Sequence, residues 1–141
     1  MPKRKEAITL ALPVPTEDEE QMQIFRWAMY QRGKHPELAL LFHIPNGGKR
    51  GKAEAARFKA MGVKSGVPDL CLPVSRGGYH GLYIELKRRR GGQVSGDQRE
   101  WIDALRVQGF HVKVCRGSDE AIRLLFDYIE GRICDSAHGN A

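Results

Sequence analysis

The sequence predicts an α/β fold in which a mixed sheet of about four strands is flanked by helices. Helical patterns and short apolar runs alternate along the 141 residues. Two of these runs, 67–74 and 79–87, are separated by a Gly-Gly turn signal, as expected of a β-hairpin. No repeat or long linker divides the chain. We expect a flexible basic arm over 1–15, one domain over 16–131 and a frayed tail over 132–141.

The composition favours a folded domain with a polyanionic partner. Hydrophobic residues make up 41% of the chain, and the formal net charge is +6. This charge suits nucleic acid, although part of it serves solubility. Cys71, Cys115 and Cys134 lie far apart without a Cys-x-x-Cys pair, so neither disulfides nor a zinc site is expected. Since no apolar run reaches membrane length and no signal-peptide core is present, we expect a soluble, intracellular, cytoplasmic protein without a membrane partner.

The first helix is indicated by a capping box, in which Thr16 and Glu19 have the required spacing. This helix is predicted from about residue 17 to 32, with Gly33 ending it. A short apolar run over 38–44 then predicts the first strand of the sheet.

A glycine-rich cationic loop over 45–52 follows, and a short helix is predicted over 53–61 as a surface above the sheet. Ser95 and Gln98 form a second capping box, which opens a helix to about residue 108. Alternation over 110–115 predicts the last strand.

The final helix is predicted over 119–130, with Ser118 as its cap. The order of elements is therefore helix, strand, helix, strand, strand, helix, strand, helix.

Three charged residues of the predicted hairpin could hold a cation and act on a phosphate. Alternation places Glu85 and Lys87 on one face of the second strand, and antiparallel pairing brings Asp69 beside them. Two carboxylates are costly to bury alone, and a divalent cation is their natural partner. The alternative is a cross-strand ion pair on a solvated face. Glu20 shares a helical stripe with Ile24. It is therefore either a solvent-exposed residue at the edge of this stripe or a third carboxylate directed into the site.

Basic segments surround this candidate site. The loop over 45–52 either binds a nucleic-acid backbone or is a solvated loop without a binding role. Three arginines directly after Lys87 are expected to line the entrance of the site, and Gln98 is either only a cap partner or also a contact to bound water or phosphate. The candidate nucleic-acid-binding residues are Asn46, Lys49, Arg50, Lys52, Lys64, Arg88, Arg89 and Arg90.

The ordered set of motifs resembles one nuclease family. Pro68-Asp69 followed by Glu85-Leu86-Lys87 is the signature of the PD-(D/E)XK nuclease superfamily. Further segments make the chain similar to its VRR-NUC (virus-type replication-repair nuclease) domain branch, over about residues 17–129. These segments are Glu20-Gln21, Pro45-Asn46-Gly47-Gly48, the run from Gly62 to Leu70, and Ser95-Gly96-Asp97-Gln98.

The resemblance implies a restriction-endonuclease-like core and a metal-dependent DNA endonuclease. Glu20, Asp69 and Glu85 would supply carboxylates to Mg²⁺ or Mn²⁺, with the carbonyl of Leu86 as a further ligand. It also implies that the motif lysine orients the attacking water and favours hydroxide, and that Gln98 occupies a further polar position of the motif. Glu19 is adjacent to Glu20 but already has a capping role.

Stand-alone members of this family resemble Holliday junction resolvases, which implies a homodimer that cuts four-way DNA junctions. Two sites related by a two-fold axis match the symmetry of such a junction. The alternatives are a flap, nicking or less selective DNA endonuclease, a non-catalytic DNA-binding module, and a small-nucleotide hydrolase.

Overall fold

The predicted α/β fold is confirmed, with a mixed four-stranded sheet flanked by helices. The structure is a computed structural model that describes residues 12–45 and 51–136. In these ranges the helices are α1 (Glu17–Gln31), α2 (Lys52–Ala60), α3 (Gly96–Val107) and α4 (Ser118–Ile129), and the strands are β1 (Phe42–His43), β2 (Leu70–Leu72), β3 (Leu82–Lys87) and β4 (His111–Arg116).

The sheet has the strand order β1-β2-β3-β4. The predicted hairpin is present, since β2 and β3 pair antiparallel with Leu70 opposite Ile84. Strand β4 runs parallel to β3 on the other side, and the connection between them contains α3. Strand β3 is therefore central, and five of its six residues are buried.

The main core lies between α1, α4 and one face of the sheet. The leucine and isoleucine side chains of β3 that alternate with the charged ones are no more than 1% exposed. Tyr128 of α4 is fully buried, and its hydroxyl donates to the carbonyl of Val74 at 2.6 Å, which satisfies the polar atom that it brings into the core.

The predicted strand over 38–44 is mostly wrong. Residues Pro36–Leu40 form a 3₁₀ helix, and only Phe42 and His43 pair as a strand. Pro36 stands at the start of this helix, where its fixed φ and missing N–H are tolerated. Leu38 is buried by the helical turn, so one apolar residue that suggested a strand serves a different local structure.

The prediction that Ser118 caps α4 is also wrong, because Gly117 is the N-cap and Ser118 is the first helical residue. The Ser118 N–H donates instead to the carboxylate of Glu20, which also accepts a hydrogen bond from Arg89 Nε at 2.7 Å. Gly117 has φ +90°, and a Cβ there would lie 3.0 Å from Glu20 Oε2. A glycine is therefore required where α1 and α4 meet.

The charge of Glu20 is stabilised despite complete burial. Burial by itself raises its pKa, but the hydrogen bonds from Arg89 and Ser118 outweigh that effect and hold the pKa below its ordinary value. Glu20 therefore acts as an anionic cap that joins α1, the segment after β3 and the start of α4.

The two chain ends were predicted to be a flexible arm and a frayed tail. Residues 1–11 and 137–141 lie outside the described residues, so these limits stay predictions. In the described part, the Arg88 guanidinium donates to the Val14 carbonyl at 3.2 Å, and the Asp135 N–H donates to the Gly77 carbonyl at 2.8 Å. Ile133 packs against the core. No described helix is both long and apolar enough to cross a membrane.

We expect Glu20→Ala to lower the free energy of unfolding by about 1–3 kcal/mol, because α4 loses its cap and Arg89 its partner. Urea denaturation measures this loss.

The contribution of Glu20 to stability depends on pH. Because the pKa of Glu20 is lowered in the fold, this contribution is present above the ordinary pKa of 4.5 and is lost as pH falls through the lowered pKa. The deficit of Glu20→Gln should therefore shrink in acid. Exposed Glu100→Ala is the control, and an equal deficit in both variants would contradict the role of Glu20.

Candidate active site

A cavity of about 300 Å³ lies at the end of the β2–β3 hairpin. It collects side chains from α1, the β1 segment, the hairpin and α3, which the fold brings together from distant parts of the chain. Its lining residues are Glu17, Asp18, Gln21, His43, Pro45, Asp69, Glu85, Leu86, Lys87 and Gln98.

The strand register places the two hairpin carboxylates together. Since Leu70 lies opposite Ile84, the same register sets Asp69 opposite Glu85. Asp69 Oδ2 accepts the backbone N–H of Leu86 at 2.7 Å. The predicted alternation of β3 therefore holds, and it puts both carboxylates on the cavity.

The alternative of a solvated ion pair does not apply. Glu85 is 2% exposed and Lys87 is 7% exposed, and Glu85 Oε1 lies 3.4 Å from Lys87 Nζ. Both charges are thus removed from water, a costly arrangement unless the groups are compensated.

Gln98 has the predicted capping role and also contacts two charged side chains of the site, whereas its contact to bound water or phosphate stays a prediction. Its Oε1 accepts from the Ser95 N–H at 2.9 Å, which closes the capping box, and from Lys87 Nζ at 3.0 Å. Its Nε2 donates to Glu85 Oε1 at 2.8 Å. One amide therefore begins α3 and holds the two central charged groups of the site.

The site has more negative charge than its own cation neutralises. Burial, and then the charge of Asp69, raise the pKa of Glu85 to about 8. Burial also raises the pKa of Asp69, although the Leu86 N–H opposes the shift. Glu85 Oε2 is buried and has no hydrogen-bond partner among the described residues. A proton that Glu85 shares with Asp69, or a cation that takes its place, accounts for all three observations.

The donor set fits a divalent cation. Asp69 and Glu85 offer hard oxygen atoms, and Leu86 lines the same cavity. Magnesium typically binds one or two carboxylates and keeps water or phosphate oxygens as its other ligands. Among the described residues, no three His, Cys, Asp or Glu side chains form a ready metal cluster, so the protein provides an open site.

Glu20, the predicted third carboxylate, is not brought to the cavity. It shares the buried stripe of Ile24 and Ala28, whereas Glu17 and Gln21 lie on the neighbouring stripe that faces the cavity. The spacing of Glu17 and Gln21 is one helical turn, and this acid and amide pair was the sequence signal that could have located the correct face.

Glu19 does not take the place of Glu20. Its carboxylate accepts the Thr16 N–H at 2.9 Å, so it completes the predicted capping box of α1.

His43 was not predicted as a site residue, yet it lines the cavity. Its Nδ1 lies 2.9 Å from the backbone carbonyl of Asp69. Because a carbonyl oxygen only accepts, Nδ1 carries the proton in this contact and Nε2 is left as the second polar atom. A polar residue between Phe42 and Ile44 in an otherwise apolar run was the available signal.

The predicted nucleic-acid-binding residues that the structure describes do not line the cavity. Arg88 donates to the carbonyls of Val14 and Pro15, and Arg89 is engaged by Glu20 and Asp119. The predicted entrance of three arginines is therefore not formed. Arg90, Lys52 and Lys64 are exposed, and their contact with nucleic acid stays a prediction, while Asn46, Lys49 and Arg50 lie outside the described residues.

Comparisons with known proteins show similarity to one domain family. The VRR-NUC domain family matches residues 16–119. A solved structure described as a "VRR_NUC domain protein" is similar, with 35% sequence identity and a TM-score of 0.74 over 87% of this chain and 95% of the other. No curated protein matches the chain.

The raised pKa of Glu85 predicts a pH-dependent stability. Because its ordinary value of 4.5 rises to about 8 in the fold, the folded state binds the proton more tightly, and this contribution is lost as pH rises from about 4.5 through about 8. In chelator, we expect stability to fall by on the order of 2 kcal/mol over this range.

Urea denaturation of Glu85→Gln should show a smaller fall, because the titrating group is gone, whereas Glu100→Gln should follow the wild type. Added Mg²⁺ at pH 8 should stabilise the wild type and have little effect on Glu85→Gln. A wild-type stability that rises between pH 5 and 8 in chelator would contradict the shift.

Proposed function

We propose a specific activity for this chain, which belongs to the VRR-NUC domain family and is a nuclease of the PD-(D/E)XK type. The proposed activity is metal-dependent endonucleolytic cleavage of branched DNA. The observation that carries this proposal is the pairing of buried Glu85 with partly buried Asp69 beside Lys87, at a cavity that both carboxylates line and with one buried Glu85 oxygen left without a hydrogen-bond donor within the described ranges. Such a site suits hydrolysis of a phosphodiester, which needs hard oxygen ligands and positive charge.

The residues proposed to hold Mg²⁺ or Mn²⁺ are Asp69, Glu85 and the carbonyl of Leu86. Glu17 replaces Glu20 as the carboxylate that α1 brings to the cavity, because Glu17 lines the cavity and Glu20 is engaged elsewhere. Since Glu17 does not form a cluster with Asp69 and Glu85, it would contact the cation through a water ligand. When bound, the cation offsets the charge that grows on the phosphoryl oxygens.

Lys87 is proposed to orient the attacking water. Its ammonium group has three N–H donors, and Glu85 and Gln98 engage it at 3.4 and 3.0 Å. One donor is left for a water or a phosphate oxygen at the cavity. Because Gln98 and Glu85 fix the position of Nζ, this donor is held in place before substrate arrives.

A homodimeric junction-resolving enzyme is the proposed form of this activity. Exposed apolar side chains support a partner surface on α1, where Met22 and Met29 are 58% exposed and Tyr30 is 77% exposed. A second copy packed there would supply the two sites that a four-way junction requires. Size-exclusion chromatography with light scattering of Met29→Glu tests this surface.

We expect the wild type to cut an end-labelled four-way junction with Mg²⁺ or Mn²⁺ and to be inactive in chelator. Asp69→Asn should lose at least about 100-fold in cleavage rate while binding the junction normally, because phosphate contacts supply most of the affinity. Exposed Asp103→Asn is the control.

A matched linear duplex separates the substrate hypotheses. Equal cleavage of junction and duplex would keep the nuclease and remove the junction preference. Tight metal-independent binding without cleavage of either DNA would favour the non-catalytic binding module.

The assignment of Glu17 predicts opposite phenotypes for two acids of α1. We expect Glu17→Gln to slow single-turnover cleavage by at least about 10-fold with unchanged urea denaturation, because it removes the water-mediated contact to the cation from an exposed position. Glu20→Gln should lower stability but keep the cleavage rate under conditions where it is folded. The reverse pattern would return Glu20 to the metal site.

A further inference from the structure

Helix α2 is supported by little of the described fold. None of its nine residues is buried, and Phe58 is the one that is partly covered. The other three α-helices, α1, α3 and α4, each bury at least one residue. A helix of this length is marginal in water by itself, since most helical stability in proteins comes from packing of one face. Helix α2 is therefore suited to gain a contact from outside the described chain.

The exposed surface of α2 is basic. Lys52 and Lys59 are seven positions apart and share one face, whereas Arg57 lies about 140° around the helix axis from Lys52. The residues between them, such as Ala56, are small, so a ligand backbone can approach closely. Glu54 is the single acid of the helix.

The residues that precede and follow the segment containing α2 lie at or beside the cavity. On one side, Pro45 lines the cavity. On the other side, the Ser65 hydroxyl donates to Asp97 Oδ2 at 3.0 Å, and Gly66 approaches so closely that a Cβ would lie 2.6 Å from the Asp97 backbone carbon. Asp97 precedes Gln98, which contacts the charged groups of the site. The chain therefore keeps the two ends of α2 within seven and five residues of positions at or beside the cavity.

We infer that α2 is a docking helix for the phosphodiester backbone of the DNA strand whose scissile phosphate enters the cavity, and that this DNA supplies the packing which the helix lacks. Lys59 becomes a substrate contact in addition to Lys52 and Lys64. The inference rests on the proposed function and adds a substrate-binding element to it. A polyanion is the occupant favoured by charge, because the exposed face of α2 is basic and the chain has a net charge of +6.

Hydrogen exchange with mass spectrometry tests the inference without requiring cleavage. The full-length chain carrying Asp69→Asn is compared free and with saturating four-way junction or linear duplex, in chelator. We expect the amides of α2 to exchange at least about 10-fold more slowly with DNA, with those of α4 unchanged. Unchanged exchange in α2 would overturn the inference. Protection that instead grows with protein concentration in the absence of DNA would assign α2 to self-association and overturn it as well.

Charge variants give a second measurement. We expect Lys52→Ala combined with Lys59→Ala to weaken junction binding by about 10-fold near 0.1 M salt and to reduce the salt slope by about 2. Arg32→Ala combined with Lys34→Ala removes the same charge from exposed positions at the far end of α1 and should change the affinity little. Equal losses in both pairs would mean a general charge effect and not a docking helix.

A glycine variant tests the contribution of the helical conformation of α2 without changing its charge. Ala56→Gly should lower DNA affinity several-fold without changing the thermal midpoint, because α2 buries nothing in the free protein. Ala104→Gly, at an exposed position of the packed α3, should lower the midpoint and leave the affinity unchanged. Because binding is measured in chelator, a wild type that binds DNA but fails to cut it would contradict the nuclease proposal and leave the docking result intact.

Discussion

A buried carboxylate placed beside a second, partly buried one is the constraint on which the active site depends. Asp69 and Glu85 meet because the β2–β3 register sets them opposite each other, and the fold buries Glu85 while leaving Asp69 partly exposed. Lys87 alone does not compensate them, and Glu85 keeps an unpartnered buried oxygen. An acid buried in this way lowers the stability of the fold locally, a common relation between stability and function at active sites.

A second buried acid shows that position decides the role of a carboxylate. Glu20 and Glu85 are both almost fully buried, yet their pKa values move in opposite directions. Arg89 and the N-terminus of α4 compensate Glu20, so it remains ionised and joins three elements. Glu85 faces another carboxylate instead. The first acid stabilises the fold, whereas the second is available for a cation.

Periodicity in the sequence was sufficient for the hairpin and its charged face, because an alternating strand leaves only one choice of side. It was insufficient for α1, where consecutive acids cover several faces and only the packing of Ile24 selects the stripe that is buried. Local patterns also failed for Ser118, whose partner Glu20 is 98 positions away in the chain. The apolar run over 38–44 suggested a strand, but Pro36 stands at the start of a 3₁₀ helix that contains part of this run.

The alternation of β3 also determines how this protein could fail. A slip of one residue between β2 and β3 would turn Glu85 and Lys87 into the apolar core and bring Ile84 and Leu86 to the cavity. A chain paired in that way would lose its core and its chemistry in the same step. A molecule with the wrong strand pairing would therefore be inactive, and it would not be a nuclease of altered behaviour.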